Sequence, residues 1–343
     1  MSPSFLEKVI LRNLGAVSAR VLLGPGRGLD NAVISIGKTR RMILTSDPVS
    51  IIPSLGMETS AWLSVHLVAS DYATSGLRPQ FATFTFNLPG ELKNEDAAVY
   101  LRAIGKECRK LRMSIVAGHT GTYPGGAFTV VGGGTMFGFC REGDYVDPSM
   151  ARTGDAILMT KGAAIEATAY LALSFPKYIE RKVGSAIAGR AKALVRRCST
   201  VADALTASSI GLGRDGVTSM HDATEGGVLG GLDEMMSACG KAAVIEREMI
   251  HVPEECEAVC GAFGIDPLNA LSEGTLLITC NPSRADDLLK AMRREGIATY
   301  GIGHVTDGNG LWVSEHGGSA RRTKPRGDGY WKAYRKSVES ELE

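Results

Sequence analysis

The chain has 343 residues, 44% of them hydrophobic and 22% charged, with a formal net charge of +1. This balance, without any basic block, excludes nucleic acid as the main partner. No apolar run approaches the ~20 residues of a membrane span. The length favours two domains over one core. The first residues, Met1 to Lys8, show no signal-peptide core, and seven scattered cysteines are read as reduced thiols of a cytoplasmic protein. Glycine is the outlier, with 42 residues placed at transitions between elements, as in an α/β protein with ligand-bearing loops.

In chain order, Gly24-Pro25-Gly26-Arg27-Gly28 leads into a strand, not a helix, which rejects a Rossmann fingerprint. Residues 32–36 and 42–45 are predicted as short strands around a Gly37–Arg41 turn. A helix is predicted over 58–75, with Trp62, Val65, Val68, Ala69 and Tyr72 as its buried stripe, stopped by Gly76 and Pro79. Residues 81–88 alternate as a strand, 94–111 form a helix, and 113–117 form a strand that enters the loop Gly118-His119-Thr120-Gly121. A glycine-interrupted strand covers 128–139.

A domain boundary is placed near 147–154, giving a first domain over 1–150 and a second over 151–316. Residues 317–343 are read as a peripheral tail. The second domain is predicted to hold a strand at 156–160, a helix opened by Lys161-Gly162 with Glu166 in its first turn, helices near 187–207, and a strand at 216–220. Further helices follow at 228–239, 254–263 and 283–295, with strands at 274–280 and 298–305.

The segment Met220-His221-Asp222-Ala223-Thr224-Glu225-Gly226-Gly227-Val228 carries the strongest chemical signal. Two glycines at a helix start let backbone approach a ligand, and the free N–H groups there suit phosphate. No G-x-x-x-x-G-K-[ST] loop is present. His221 could act as a general acid–base group or be structural, and Asp222 and Thr224 could instead cap the helix. Lys161 could reach phosphate as a point charge or be a solvated turn lysine.

Asp30, Asp47 and Asp71 each follow an apolar stretch, where an ionised carboxylate needs a partner. Convergence around Mg²⁺ is one reading; turn, capping or ion-pair roles are the others. Cys256 and Cys260 share a helix face but lack the further ligands of a zinc site, and are read as buried small hydrophobes. His66 and His304 are read as core or interface residues.

Taken together, Asp30-Asn31-Ala32-Val33-Ile34, Thr45-Ser46-Asp47-Pro48, Ser70-Asp71-Tyr72-Ala73-Thr74, Gly118-His119-Thr120, Thr160-Lys161-Gly162, Met220 to Gly227 and Ser272-Glu273-Gly274 form an ordered set. From about Gly24 to Val305, the chain resembles the AIR synthase-related (PurM-like) superfamily. That superfamily includes aminoimidazole ribonucleotide synthase, selenophosphate synthetase, thiamine-monophosphate kinase and the carbamoyl dehydratase of hydrogenase maturation. The wording is most similar to the dehydratase branch.

The resemblance implies an α/β (α+β) fold of two domains, in which the first-domain sheets of two subunits pair into a shared β-barrel. It implies a homodimer that uses ATP and Mg²⁺. Asp30, Asp47 and Asp71 would hold the metal; Asn31, Thr45, Lys161, Thr224, Gly226 and Gly227 would bind the nucleotide; His119, His221 and Asp222 would act in catalysis. The acceptor would be a small molecule or a carrier-bound group, with a maturation protein as a possible partner.

Three departures limit the likeness. The chain ends Ser340-Glu341-Leu342-Glu343, without the terminal cysteine of the dehydratases; the segment Leu22 to Asn31 lacks the reactive cysteine of selenophosphate synthetases; and His119 stands where kinase, dehydratase and synthase relatives have Asp or Glu, although selenophosphate synthetases have His there. His119 could bind phosphate, act on a proton or cap a turn. A kinase of the thiamine-monophosphate type and a non-catalytic nucleotide-binding scaffold are the alternatives.

Overall fold

The structure, a computed structural model, describes residues 5–339. The first half builds a six-stranded sheet from β1 (Val21–Leu23), β2 (Ala32–Ser35), β3 (Arg40–Ser50), β4 (Phe81–Pro89), β5 (Ser114–Tyr123) and β6 (Val130–Arg141), in the order β1-β2-β3-β6-β4-β5. Helices α1 (Met57–Ala73) and α2 (Asn94–Lys110) cover it. In β4, Ala82, Phe84, Phe86 and Leu88 alternate into the core, as the period of two requires, and Phe86 meets Tyr100 of α2 edge to face. β4 and β5 run parallel, joined through α2, while the other pairs are antiparallel.

The second half builds a seven-stranded sheet from β7 (Ala156–Thr160), β8 (Val217–Asp222), β9 (Ala242–Glu246), β10 (Leu276–Cys280), β11 (Thr299–Thr306), β12 (Gly310–Ser314) and β13 (Arg321–Thr323). Its order is β13-β12-β9-β11-β7-β10-β8. The helices are α3 (Ile165–Ser174), α4 (Pro176–Val183), α5 (Ser185–Ala193), α6 (Val201–Ser208), α7 (Gly227–Cys239), α8 (Glu254–Phe263), α9 (Ala285–Arg294) and α10 (Tyr330–Glu339). The expected two-sheet mixed α/β architecture is therefore present. One chain closes no barrel, and both ends of the first sheet remain open.

Strand β8 is an edge strand, yet all six of its residues are buried, because α1 and the turn Pro148–Met150 pack over it. This contact brings the end of a second-domain strand against the end of a first-domain helix. Thr200 N–H donates to Ser70 Oγ across the same seam at 2.9 Å.

Several expectations change. β3 does not stop at Thr45 but continues through Asp47-Pro48 to Ser50, paired with the glycine run of β6. His119 lies in the middle of strand β5, not in a loop. The run near 187–207 holds helices as expected, α5 and α6 with the short turn Leu194–Arg197 between them, and α4 precedes them.

The segment after residue 317 is not peripheral over its described part. β13 pairs with β12, and Tyr330 is buried against Tyr170. Sequence patterning missed this because the segment is basic and polar except for a few aromatic anchors.

Candidate active site

Asp30, His221 and Asp222 meet at the seam. Each offers a ligand atom, and these atoms lie within 4.8 Å of one another. Their elements explain the meeting. Asp30 immediately precedes β2, and His221 and Asp222 end β8. Gly28, at φ +71°, lets the incoming loop lie on α7, where a Cβ would fall 2.6 Å from the Glu234 carbonyl oxygen. Asp30 Oδ1 is 2.7 Å from His221 Nδ1, and Glu234 Oε2 is 3.4 Å from Nε2. Asp30 Oδ2 and both oxygens of Asp222 are buried with no hydrogen-bond partner.

Asp71, near the end of α1, and Asp47, within β3, adjoin this group. Thr45 Oγ1 donates to Asp71 Oδ2 at 3.4 Å. Burial pushes the Asp71 carboxyl well above the usual range, and the charges of Asp222, Asp47 and Asp30 push it further. Burial and Glu225 raise Asp47 to about 6; burial and Asp30 raise Asp222 to about 7. Burial alone would lower His221, but Asp30 and Glu234 outweigh it and hold the imidazole well above its ordinary value.

Apart from Asp30, which faces the His221 imidazole, these buried carboxylates have no ion pair among the described residues and cost free energy unless protonated or neutralised. Hard oxygen donors of this kind fit Mg²⁺. The imidazole does not add a good ligand, since Mg²⁺ prefers oxygen and Nδ1 is already bonded to Asp30. His221 is thus placed as a positioning group for Asp30.

Beside these acids opens a cavity of about 490 Å³. Asp47, Asp71 and Glu273 lie on its walls, together with Glu166, Glu225, Thr224, Tyr170, Leu271 and Trp331. Burial raises Glu166 to about 8, against the opposing hydrogen bonds from Tyr170 and the Glu273 N–H. Sequence reasoning missed Glu166, Glu273 and Glu234 as members of the site. Ser272-Glu273-Gly274 carried the available signal for one of them.

Other expected residues are placed differently. Lys161 is buried and fixed to Asp203 at 2.9 Å and to the Ser199 carbonyl at 2.7 Å, so it does not face the cavity as a free cation. Asn31 donates to the Asp71 carbonyl at 2.8 Å and to Thr74 Oγ1 at 2.9 Å, bracing the end of α1.

The glycine turn is formed as expected, but its amides are engaged. Gly226 N–H donates to Asp328 Oδ2 at 3.1 Å and Gly227 N–H to the Thr224 carbonyl at 3.0 Å. Trp331 Nε1 donates to Glu225 Oε1 at 3.2 Å. His119 is exposed on β5, 2.8 Å from the Tyr123 hydroxyl, and does not line the cavity.

Residues 28–140 match the model of the AIR synthase related protein N-terminal domain, and residues 152–314 that of its C-terminal domain. The chain belongs to the AIR synthase-related family. Among relatives, it is 27% identical over 274 residues to the carbamoyl dehydratase HypE of Cupriavidus necator, covering 78% of this chain and 73% of that protein.

Among solved structures, it is similar to a HypE–HypF complex, with a TM-score of 0.74 and 19% identity over 94% of this chain and 100% of that one. It is also similar to AaThiL complexed with AMPPCP and TMP, with a TM-score of 0.69 and 17% identity over 92% and 94% of the two chains. At these identities the structural likenesses establish the fold alone. As in the AIR synthase-related fold in general, the two sheets of this family member form a mixed α/β pair. Among the described residues, no helix is long and apolar enough to cross a membrane.

Proposed function

We propose that this chain is an ATP- and Mg²⁺-dependent enzyme that moves the terminal phosphoryl group of ATP to an oxygen of a small or carrier-bound acceptor. The observation that carries this reading is the set of buried, unpaired carboxylate oxygens on Asp30 and Asp222, crowded by Asp47 and Asp71. Asp30, Asp47, Asp71 and Asp222 would hold the metal, which when bound neutralises phosphate charge and orients the triphosphate. The chain's own contribution is positioning. His221 and Glu234 fix Asp30, Thr45 and Asn31 fix the end of α1, and Trp331 and Leu271 line the cavity beside the acids.

The likeness to carbamoyl dehydratases favours a dehydratase or synthase version, in which the phosphorylated oxygen then leaves as phosphate. A small-molecule kinase is the second reading, supported by the fold shared with a ThiL chain bound to AMPPCP, a methylene analogue of ATP. The acceptor in this reading is a small molecule or a group carried by a maturation partner.

A homodimer belongs to this reading. Edge strand β5 exposes Ile115, Val116 and Tyr123 along an almost wholly uncovered length, an edge that pairing with a second copy would protect. His119 lies on that strand, outside the cavity of its own chain.

The test is calorimetric titration of AMPPCP with Mg²⁺ into wild type, Asp47→Asn and Asp71→Asn. At least tenfold weaker binding by folded variants is expected. Unchanged affinity in both overturns the metal assignment. Phosphate release from ATP that is absent in Asp47→Asn separates an enzyme from a nucleotide-binding scaffold.

A further inference from the structure

The catalytic seam is acidic. A second cavity, of about 480 Å³, has the opposite character. It lies between α1, α2 and the turn Leu194–Arg197, which crosses from the second domain. Arg102, Lys106 and Lys110 of α2 and Arg196 of the turn surround it, with Trp62 in its wall. Glu107 and Glu58 are the carboxylates present, which leaves a net charge of +2 at the cavity.

Lys110 is bound to Glu107 at 2.8 Å. Arg102, Lys106 and Arg196 have no carboxylate within ion-pair distance among the described residues. Like charges held together without compensation raise the local potential and attract anions.

The cations are also partly preorganised. Arg196 sits over the Trp62 ring, 5.3 Å from its centre. Trp62 in turn stacks on His66, with ring centres 4.2 Å apart and planes inclined by 19°. His66 Nδ1 is 3.0 Å from Ser199 Oγ, so the ring is tied to the segment that follows Arg196. Burial lowers His66 to about 4, so a neutral ring supports the stack at physiological pH. A guanidinium held in this way can meet an oxyanion with less loss of side-chain freedom than a loose lysine. The volume is that of a small-molecule site and larger than one inorganic ion needs.

We propose that this cavity is a second ligand site, separate from the nucleotide seam, for a small molecule bearing phosphate groups. The cations from α2 grip one side of the anion and Arg196 the other, so an occupant ties the first-domain helices to the second domain. It does not depend on the proposed reaction, because none of its residues lines the acidic cavity.

Pyrophosphate is the probe, titrated calorimetrically into the full chain in EDTA. Without Mg²⁺ the crowded carboxylates of the seam repel such an anion, so binding there is suppressed. Wild type and Asp71→Asn are expected to bind with equal affinity. Arg102→Glu combined with Lys106→Glu, and separately Arg196→Glu, are expected to bind at least tenfold more weakly. Arg102, Lys106 and Arg196 are exposed positions, and an unchanged melting temperature verifies folding. Absence of binding by wild type overturns the proposal. So does unchanged affinity in both charge-reversal variants, or an altered affinity that follows Asp71→Asn.

Discussion

Replacing Asp222 with Asn should make the metal-free protein more stable and the metal-loaded protein less so. The side chain ends β8, is 1% exposed, and has neither carboxylate oxygen hydrogen-bonded. Burial first, and then the Asp30 charge, move its pKa from 3.8 to about 7. That shift is roughly three units at about 1.4 kcal/mol each, so ionising Asp222 in the fold costs at most about 4 kcal/mol.

The sign follows from which state holds the proton. Because the folded value is the higher one, the favourable contribution of the protonated acid is complete below about pH 3.8. It is lost as pH rises through about 7. At pH 8 the metal-free wild type therefore carries the whole cost, and at pH 5 most of it is absent. Asn carries no charge to bury, so metal-free Asp222→Asn should exceed wild type at pH 8, with the gap closing toward pH 5.

Mg²⁺ should raise wild-type stability at pH 8 and raise the variant's much less. Urea denaturation in EDTA and in Mg²⁺, at both pH values, measures all four cases. A variant no more stable than wild type at pH 8 in EDTA, with an equal gain from Mg²⁺, would refute the account of the site.

Lys161→Met should remove the partner of buried Asp203 and cost about 3–5 kcal/mol in a urea melt, while Mg²⁺–AMPPCP affinity in the folded fraction stays near wild type. Adding Asp203→Leu should recover much of that loss. Gly227→Ala should cost at least about 1–3 kcal/mol, because φ is +64° and the new Cβ would lie 2.6 Å from the Ala270 carbonyl oxygen; thermal denaturation reads it. Asp328→Ala should free the Gly226 amide, and hydrogen exchange at that amide should speed up while exchange in β10 stays unchanged.

Much of the frame was legible in the residues themselves. Alternation in Phe81–Leu88, the apolar stripe of Trp62, Val65, Val68 and Tyr72, and the turn at Gly226-Gly227 each specify an element through local geometry. The acidic residues were legible too, because Asp30, Asp47 and Asp71 each adjoin an apolar stretch where charge is conspicuous. Local periodicity failed at β3, where Pro48 signals a break but pairing with the glycine-rich β6 carries the strand onward. It also failed at His119, whose neighbouring glycines read as a loop until β4 supplies a parallel partner.

Sequence alone determined the family and the two-sheet α/β class and marked Asp30, Asp47 and Asp71 as candidates, since these depend on residue type, spacing and order. Only the tertiary structure decided which acids meet. Tertiary packing places Asp222 beside Asp30, ties Lys161 to Asp203 and brings Asp328 from the last described segment onto Gly226. Those pairings join residues distant along the chain, and no local pattern encodes which buried charge will find which partner.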